Sequence, residues 1–138
     1  ARAIVLHHES WEDSVPVYGV VAAGAPVEAI QQEADRLRLG ELFPTRRNLF
    51  ALRVRGNSMI EDHIQDGDLV LIEPKDHPRD GEPVVAWING EVTLKRFYHE
   101  GNRIRLQPAN SQMKPIYVTR KDNIRILGVL RGVIRSYS

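Results

Sequence analysis

Val84-Val-Ala-Trp-Ile88, then Asn89-Gly90, then Glu91-Val-Thr-Leu-Lys-Arg-Phe-Tyr98 is the stretch on which the fold reading turns. Two runs rich in β-branched and aromatic residues are joined by an Asn-Gly pair. Such a pair suits a two-residue type I′ turn, in which both central residues need positive φ, so the stretch predicts a β-hairpin. Outward from it the signals stay extended. Phe50-Ala-Leu-Arg-Val-Arg55 alternates like a half-buried strand, and Asp66-Gly67-Asp68 is a turn in front of a compact strand, Leu69-Val-Leu-Ile72. Arg103-Ile-Arg-Leu106 alternates again, and the segment from Ile124 to Arg135 offers one or two strands broken at Gly128 and Gly132. Ser58-Met-Ile-Glu61 fits the S-x-x-E capping box, so a short helix or turn is expected to start at Ser58. Six or more short strands with little helix predict a compact, mostly-β domain cornered by glycine and proline.

With 138 residues the chain is one domain by length, enough to bury about two-thirds of its unfolded surface. Its 19 basic and 18 acidic residues leave a net charge of +1, without the basic surplus of a nucleic-acid binder. Having no cysteine, it can use neither disulfides nor thiol chemistry and suits a reducing cytosol. No apolar run approaches the roughly 18 residues of a membrane span. Residues 1–16 read as an arm or linker, 17–138 as the folded domain, and the charged segment 27–41 as an irregular or partly extended loop. The first residue is Ala1 rather than Met, which reads as a fragment or processed product.

Ala51-Leu-Arg-Val-Arg-Gly-Asn-Ser-Met-Ile60 sets a serine just after a strand, and the second arm of the hairpin carries Lys95 in mid-strand. A serine hydroxyl becomes a nucleophile when a base takes its proton, and a desolvated neutral lysine can be that base. Ser58 and Lys95 are therefore candidate catalytic residues. Each has an ordinary reading too. Ser58 can be a helix N-cap worth roughly 1 kcal/mol, the reading its local pattern favours. Lys95 can pack its stem and hold its ammonium in water. It shares a face with Thr93 and Phe97 by alternation, which permits burial without establishing it. From a reference pKa near ~10.4, neutralising a lysine at pH 7 costs roughly 4–5 kcal/mol. Burial lowers a lysine by about 3–5 units, enough to cover most of that. Main-chain amides at a helix start can hold an oxyanion, which makes Asn57 and Ser58 candidate donors, and Gly56 is expected to let another backbone come close.

Ala22-Ala-Gly-Ala-Pro26 is either a flexible linker or a small-residue peptide able to lie extended in a narrow protease cleft. Other chemistries fit poorly. The string Gly56-Asn-Ser-Met-Ile60 is not a nucleophile elbow, and the histidines show no ligand spacing, so neither metal nor cofactor is expected. Asp66 and Asp68 read as turn residues rather than paired acid–base carboxylates.

Together these pieces resemble the C-terminal self-cleaving domain of the LexA repressor family, over essentially the whole chain. Gly19-Val-Val-Ala-Ala-Gly24 looks like the family's cleavage region, within a segment of about residues 17–30. Arg55-Gly-Asn-Ser-Met59 with Ile64-Gln-Asp-Gly-Asp68 looks like its nucleophile motif, and Val92-Thr-Leu-Lys-Arg96 like its general-base motif. Leu106-Gln-Pro-Ala-Asn110 and the stretch from Gly128 to Arg135 fit its later strands. The resemblance implies the β fold shared with signal peptidases and a Ser58–Lys95 dyad cutting between Ala23 and Gly24.

It further implies stimulation by the RecA filament on single-stranded DNA, derepression of SOS repair genes, a cytoplasmic location and a homodimer, with the apolar strand around Val129 to Ile134 as its expected contact. Operator DNA would be bound only through an N-terminal winged helix-turn-helix, absent here, for which residues 1–16 would be the remaining linker. A phage repressor or a polymerase accessory protein of the UmuD type fits the same motifs, although the latter typically has Cys where this chain has Ala23. Signal peptidases use a similar pair but need a membrane anchor. From a different class, a non-catalytic dimerisation module could keep the fold.

Overall fold

The expected hairpin is present in a computed structural model of the chain, which describes residues 14–17, 23, 35–38 and 48–137. Asn89 (φ 48°) and Gly90 (φ 92°) both have the positive φ that a type I′ turn demands. Backbone contacts divide the chain into two units, residues 2–46 and 47–138. In the first unit, β1 (Val15–Val17) pairs antiparallel with β2 (Asp35–Leu37). Arg36 Nε donates to Ser14 Oγ at 2.7 Å beside that ribbon. Of the small-residue run before Pro26, Ala23 is described as an exposed bend, while Gly24 lies outside the described residues.

The second unit is one antiparallel sheet in the order β3-β4-β9-β5-β6-β7-β8. Its strands are β3 (Phe50–Arg53), β4 (Leu69–Glu73), β5 (Pro83–Ile88), β6 (Glu91–Glu100), β7 (Arg103–Gln107), β8 (Ile116–Val118) and β9 (Ile124–Ile134). The mostly-β expectation holds, and the helical content of the described residues is one 3₁₀ turn, Ile60–Asp62. Strand β5 explains how the core divides. Val84 and Ala86 join a cluster with Phe97, Leu106, Val118 and Val129, whereas Val85, pointing the other way, joins Met59, Ile64, Val70 and Ile72. Period-two alternation thus fills both faces of a central strand, which is why its sequence is an unbroken apolar run. Each such side chain contributes roughly 1.5–3 kcal/mol on burial.

Three local expectations are corrected. First, β9 is a single strand, unbroken at its glycines. Val85 faces Gly128 while Ala86 faces Ile126, so Leu127 is an extra residue, and Leu71 faces Gly132 while Ile72 faces Leu130, so Arg131 is another. The glycines accompany bulges that bend a continuing strand. A Cβ at Gly128 would lie 2.5 Å from the Glu73 carbonyl oxygen and clash with Ile72 Cγ2, so close strand packing selects glycine there.

Second, the capping box does not form. The 3₁₀ turn is preceded by Met59, no side chain caps it, and Glu61 Oε2 instead accepts from the Ser111 N–H at 2.7 Å. Third, among the described residues nothing lies within 4 Å of a Cβ at Gly56, so no close approach there calls for glycine. Its φ of +88° is what favours glycine.

Candidate active site

The nucleophile candidate sits where β3 runs out. The ladder with β4 extends past Arg53 through Val54 N–H to the Asp68 carbonyl (2.8 Å) and Gly67 N–H to the Val54 carbonyl (2.8 Å). Gly56 then turns the chain, its N–H held by Asp66 Oδ1 at 2.7 Å. Asp66 therefore does turn chemistry, as its sequence suggested. Met59 (2% exposed) and Ile64 (3%) plug the following loop into the core, with Ile60 N–H bonded to the Asn57 carbonyl at 3.2 Å. Ser58, half-buried, is held between these anchors.

Lys95 lies in the middle of β6, paired with Val84 on β5, and is 7% exposed. Its Nζ is 3.1 Å from Ser58 Oγ and 2.5 Å from Thr93 Oγ1. Among the described residues no carboxylate pairs with this nitrogen. Burial therefore pushes the Lys95 pKa below its ordinary 10.5, with nothing to pull it back. A buried lysine facing two hydroxyls can shed its proton and turn its lone pair to either oxygen. At 3.1 Å from Oγ it is within reach of the serine proton.

Two ion pairs brace the surroundings. Arg96, next to Lys95, bonds Asp62 Oδ2 at 2.7 Å and the Gly81 carbonyl at 2.5 Å, tying β6 to the 3₁₀ turn after Ser58. Asp68 is 1% exposed and receives two hydrogen bonds from Arg135, at 2.7 and 2.8 Å. The Arg135 guanidinium is the main reason the Asp68 carboxyl is lowered from 3.8 to about 2.

Of the residues singled out by sequence, the structure brings Ser58 and Lys95 together. The main-chain N–H groups of Asn57 and Ser58 donate to no protein acceptor among the described residues. Three residues around the pair were missed: Thr93, Asp62 and Arg96. Thr93 had a signal, since it lies two residues before Lys95 on the same strand face. Asp62 and Arg96 had none, because their pairing spans 34 positions. Among the described residues no group of His, Asp or Glu could hold a metal ion, and no helix is long and apolar enough to cross a membrane.

A family model described as Peptidase S24-like matches residues 16–131. The chain is 46% identical over 123 residues to the LexA repressor of Desulfatibacillum aliphaticivorans, covering 88% of this chain and 61% of that protein. It is 43% identical over 130 residues to the LexA repressor of Thermotoga neapolitana, covering 94% and 62%. With the LexA repressor of Geotalea uraniireducens it shares 44% over 137 residues, covering 99% and 68%. The chain thus spans about three-fifths of the length of the first two relatives.

Proposed function

The chain belongs to the Peptidase S24-like family as a LexA-type sequence, and from that premise we propose that it is the self-cleaving part of a transcriptional repressor. The observation that carries this reading is the 3.1 Å approach of Lys95 Nζ to Ser58 Oγ in a site where burial disfavours the ammonium. In the reaction, neutral Lys95 takes the Ser58 hydroxyl proton as Oγ attacks the Ala23 carbonyl carbon. The Asn57 and Ser58 amides receive the oxyanion. The Ala23–Gly24 bond breaks, Lys95 returns the proton to the departing Gly24 amine, and water hydrolyses the Ser58 ester. Because the substrate belongs to the same chain, proximity comes with the fold rather than from a binding step.

An activated RecA filament on single-stranded DNA would act by favouring the state in which the cleavage segment is docked. Scission would then detach an N-terminal operator-binding part in the cytoplasm and derepress SOS repair genes. In this reading the protein is a homodimer. Supporting that, β9 runs past its last partner on β5 at Val129, leaving residues 130–134 unpaired on that side among the described residues, with Val133 41% exposed.

The test is intact mass after incubation at alkaline pH, with Ser58→Ala in parallel. Two fragments meeting at Ala23–Gly24, absent from the mutant, are expected. A wild-type chain that stays whole at alkaline pH and with RecA filament present would reject the reading.

A further inference from the structure

The turn carrying Ser58 is gripped by a second loop, from Pro108 to Gln112 between β7 and β8. Glu61 N–H donates to the Ala109 carbonyl at 2.8 Å, and Ser111 N–H donates to Glu61 Oε2 at 2.7 Å. Between these, Asn110 Nδ2 donates to the Asn57 carbonyl at 2.8 Å. The orientation of the Asn110 amide is itself defined, because its Oδ1 accepts from the Gln112 N–H at 2.9 Å. The Asn57 carbonyl belongs to the same planar trans peptide as the Ser58 N–H, so the two groups point in opposite directions. Holding the carbonyl therefore fixes where the Ser58 N–H points, and that N–H has no protein acceptor among the described residues.

We propose that Asn110 is a positioning residue, which aims the Ser58 amide at the developing oxyanion by anchoring the Asn57 carbonyl behind it. The inference rests on the self-cleavage reading. It adds that the loop after β7, 53 positions from Asn57, sets the oxyanion donor. Without the anchor, Ile60 N–H still holds the carbonyl, at a longer 3.2 Å, so the turn survives with its central peptide free to rock.

Two variants separate this role from simple loop support. Asn110→Ala removes both of its contacts. Asn110→Asp keeps an oxygen for the Gln112 N–H and replaces the donor to Asn57 with a carboxylate oxygen that repels its carbonyl. The rate of self-cleavage is followed against pH and compared on the alkaline plateau, where Lys95 is neutral in every variant. Any change that the new carboxylate makes to the Lys95 titration then drops out. Both variants should lower the plateau about 10–100-fold, a share of what losing an oxyanion donor costs. In Asn110→Ala the midpoint should stay at its wild-type pH, as it would not if the damage had reached Lys95. A full plateau in Asn110→Asp, whatever Asn110→Ala does, overturns the inference while leaving the Ser58–Lys95 reading intact. A wild-type chain that never cleaves overturns that reading, and the inference with it.

Discussion

Lys95 is charged in the unfolded chain at neutral pH and gives up its water on folding, gaining two hydroxyls and, among the described residues, no carboxylate in return. Its pKa is thus lower in the fold than the ordinary 10.5, and between those two values the unfolded chain binds more protons. Stability therefore climbs as pH rises through that interval, and below it the lysine is a standing cost. Lys95→Met should melt at a higher temperature than wild type near neutrality, with the gap closing as pH approaches 10.5. A gap independent of pH would show that packing, not charge, decides the difference. The same titration sets catalysis: scission should speed up about tenfold per pH unit until Lys95 is neutral, and Lys95→Met should abolish it. At this scale the sequence went far. A serine after a strand and a lysine within one were visible as types in place, but their meeting was not, because 37 positions separate them. Thr93, which gives Lys95 its second hydroxyl, was readable only as a face-mate.

Elements bounded by turn chemistry were the most readable. Asn89-Gly90 declared its hairpin because two successive residues with positive φ exclude most side chains. The capping box failed for the opposite reason. Its signal is a local hydrogen bond, and tertiary partners outbid it: Ser58 faces Lys95 and Glu61 faces Ser111. The glycines of β9 misled because a break and a bulge look alike in sequence, whereas only the neighbouring strands decide which occurs. Arg131, the extra residue at one bulge, is kept useful by ion pairs to Glu73 at 2.7 Å and Glu82 at 3.6 Å. Gly128 carries the sharper consequence. A methyl there meets the Glu73 backbone at 2.5 Å, and backbone in a central ladder cannot step aside as a side-chain tip can. Gly128→Ala should cost about 1–3 kcal/mol in denaturant unfolding, the range for overpacking a filled core. A change under half a kcal/mol would mean that β9 can slide on β4 without penalty.

Across the whole molecule the strand order was out of reach, since β9 inserts between β4 and β5 and no local pattern encodes a partner so distant. One contact shows what that insertion achieves. Arg135, just past the end of β9, crosses 67 positions to clasp Asp68 at the start of β4 and also donates to the His63 carbonyl at 2.9 Å. The last strand is thereby latched to the loop that follows Ser58. Asp68 was read from sequence as a turn residue, and nothing nearby announced that its carboxylate would be buried and ion-paired.

With its pKa lowered from 3.8 to about 2, the folded carboxylate resists protonation longer than the unfolded one. The stability it lends is complete above 3.8 and drains away as pH falls through about 2. In Arg135→Gln the guanidinium is gone while Asp68 stays buried, so its pKa should rise and the fold should weaken near neutrality. The acid limb that Asp68 contributes should then be shallower than in wild type, so the stability gap between the two closes as pH falls from 3.8 towards about 2. If the latch also holds the nucleophile loop, Arg135→Gln should slow self-cleavage in proportion to its loss of stability, without moving the alkaline midpoint set by Lys95. A variant whose acid limb coincides with wild type would show that Asp68 draws its low pKa from the Gln65 N–H at 2.8 Å instead, and that the end of β9 is free to leave.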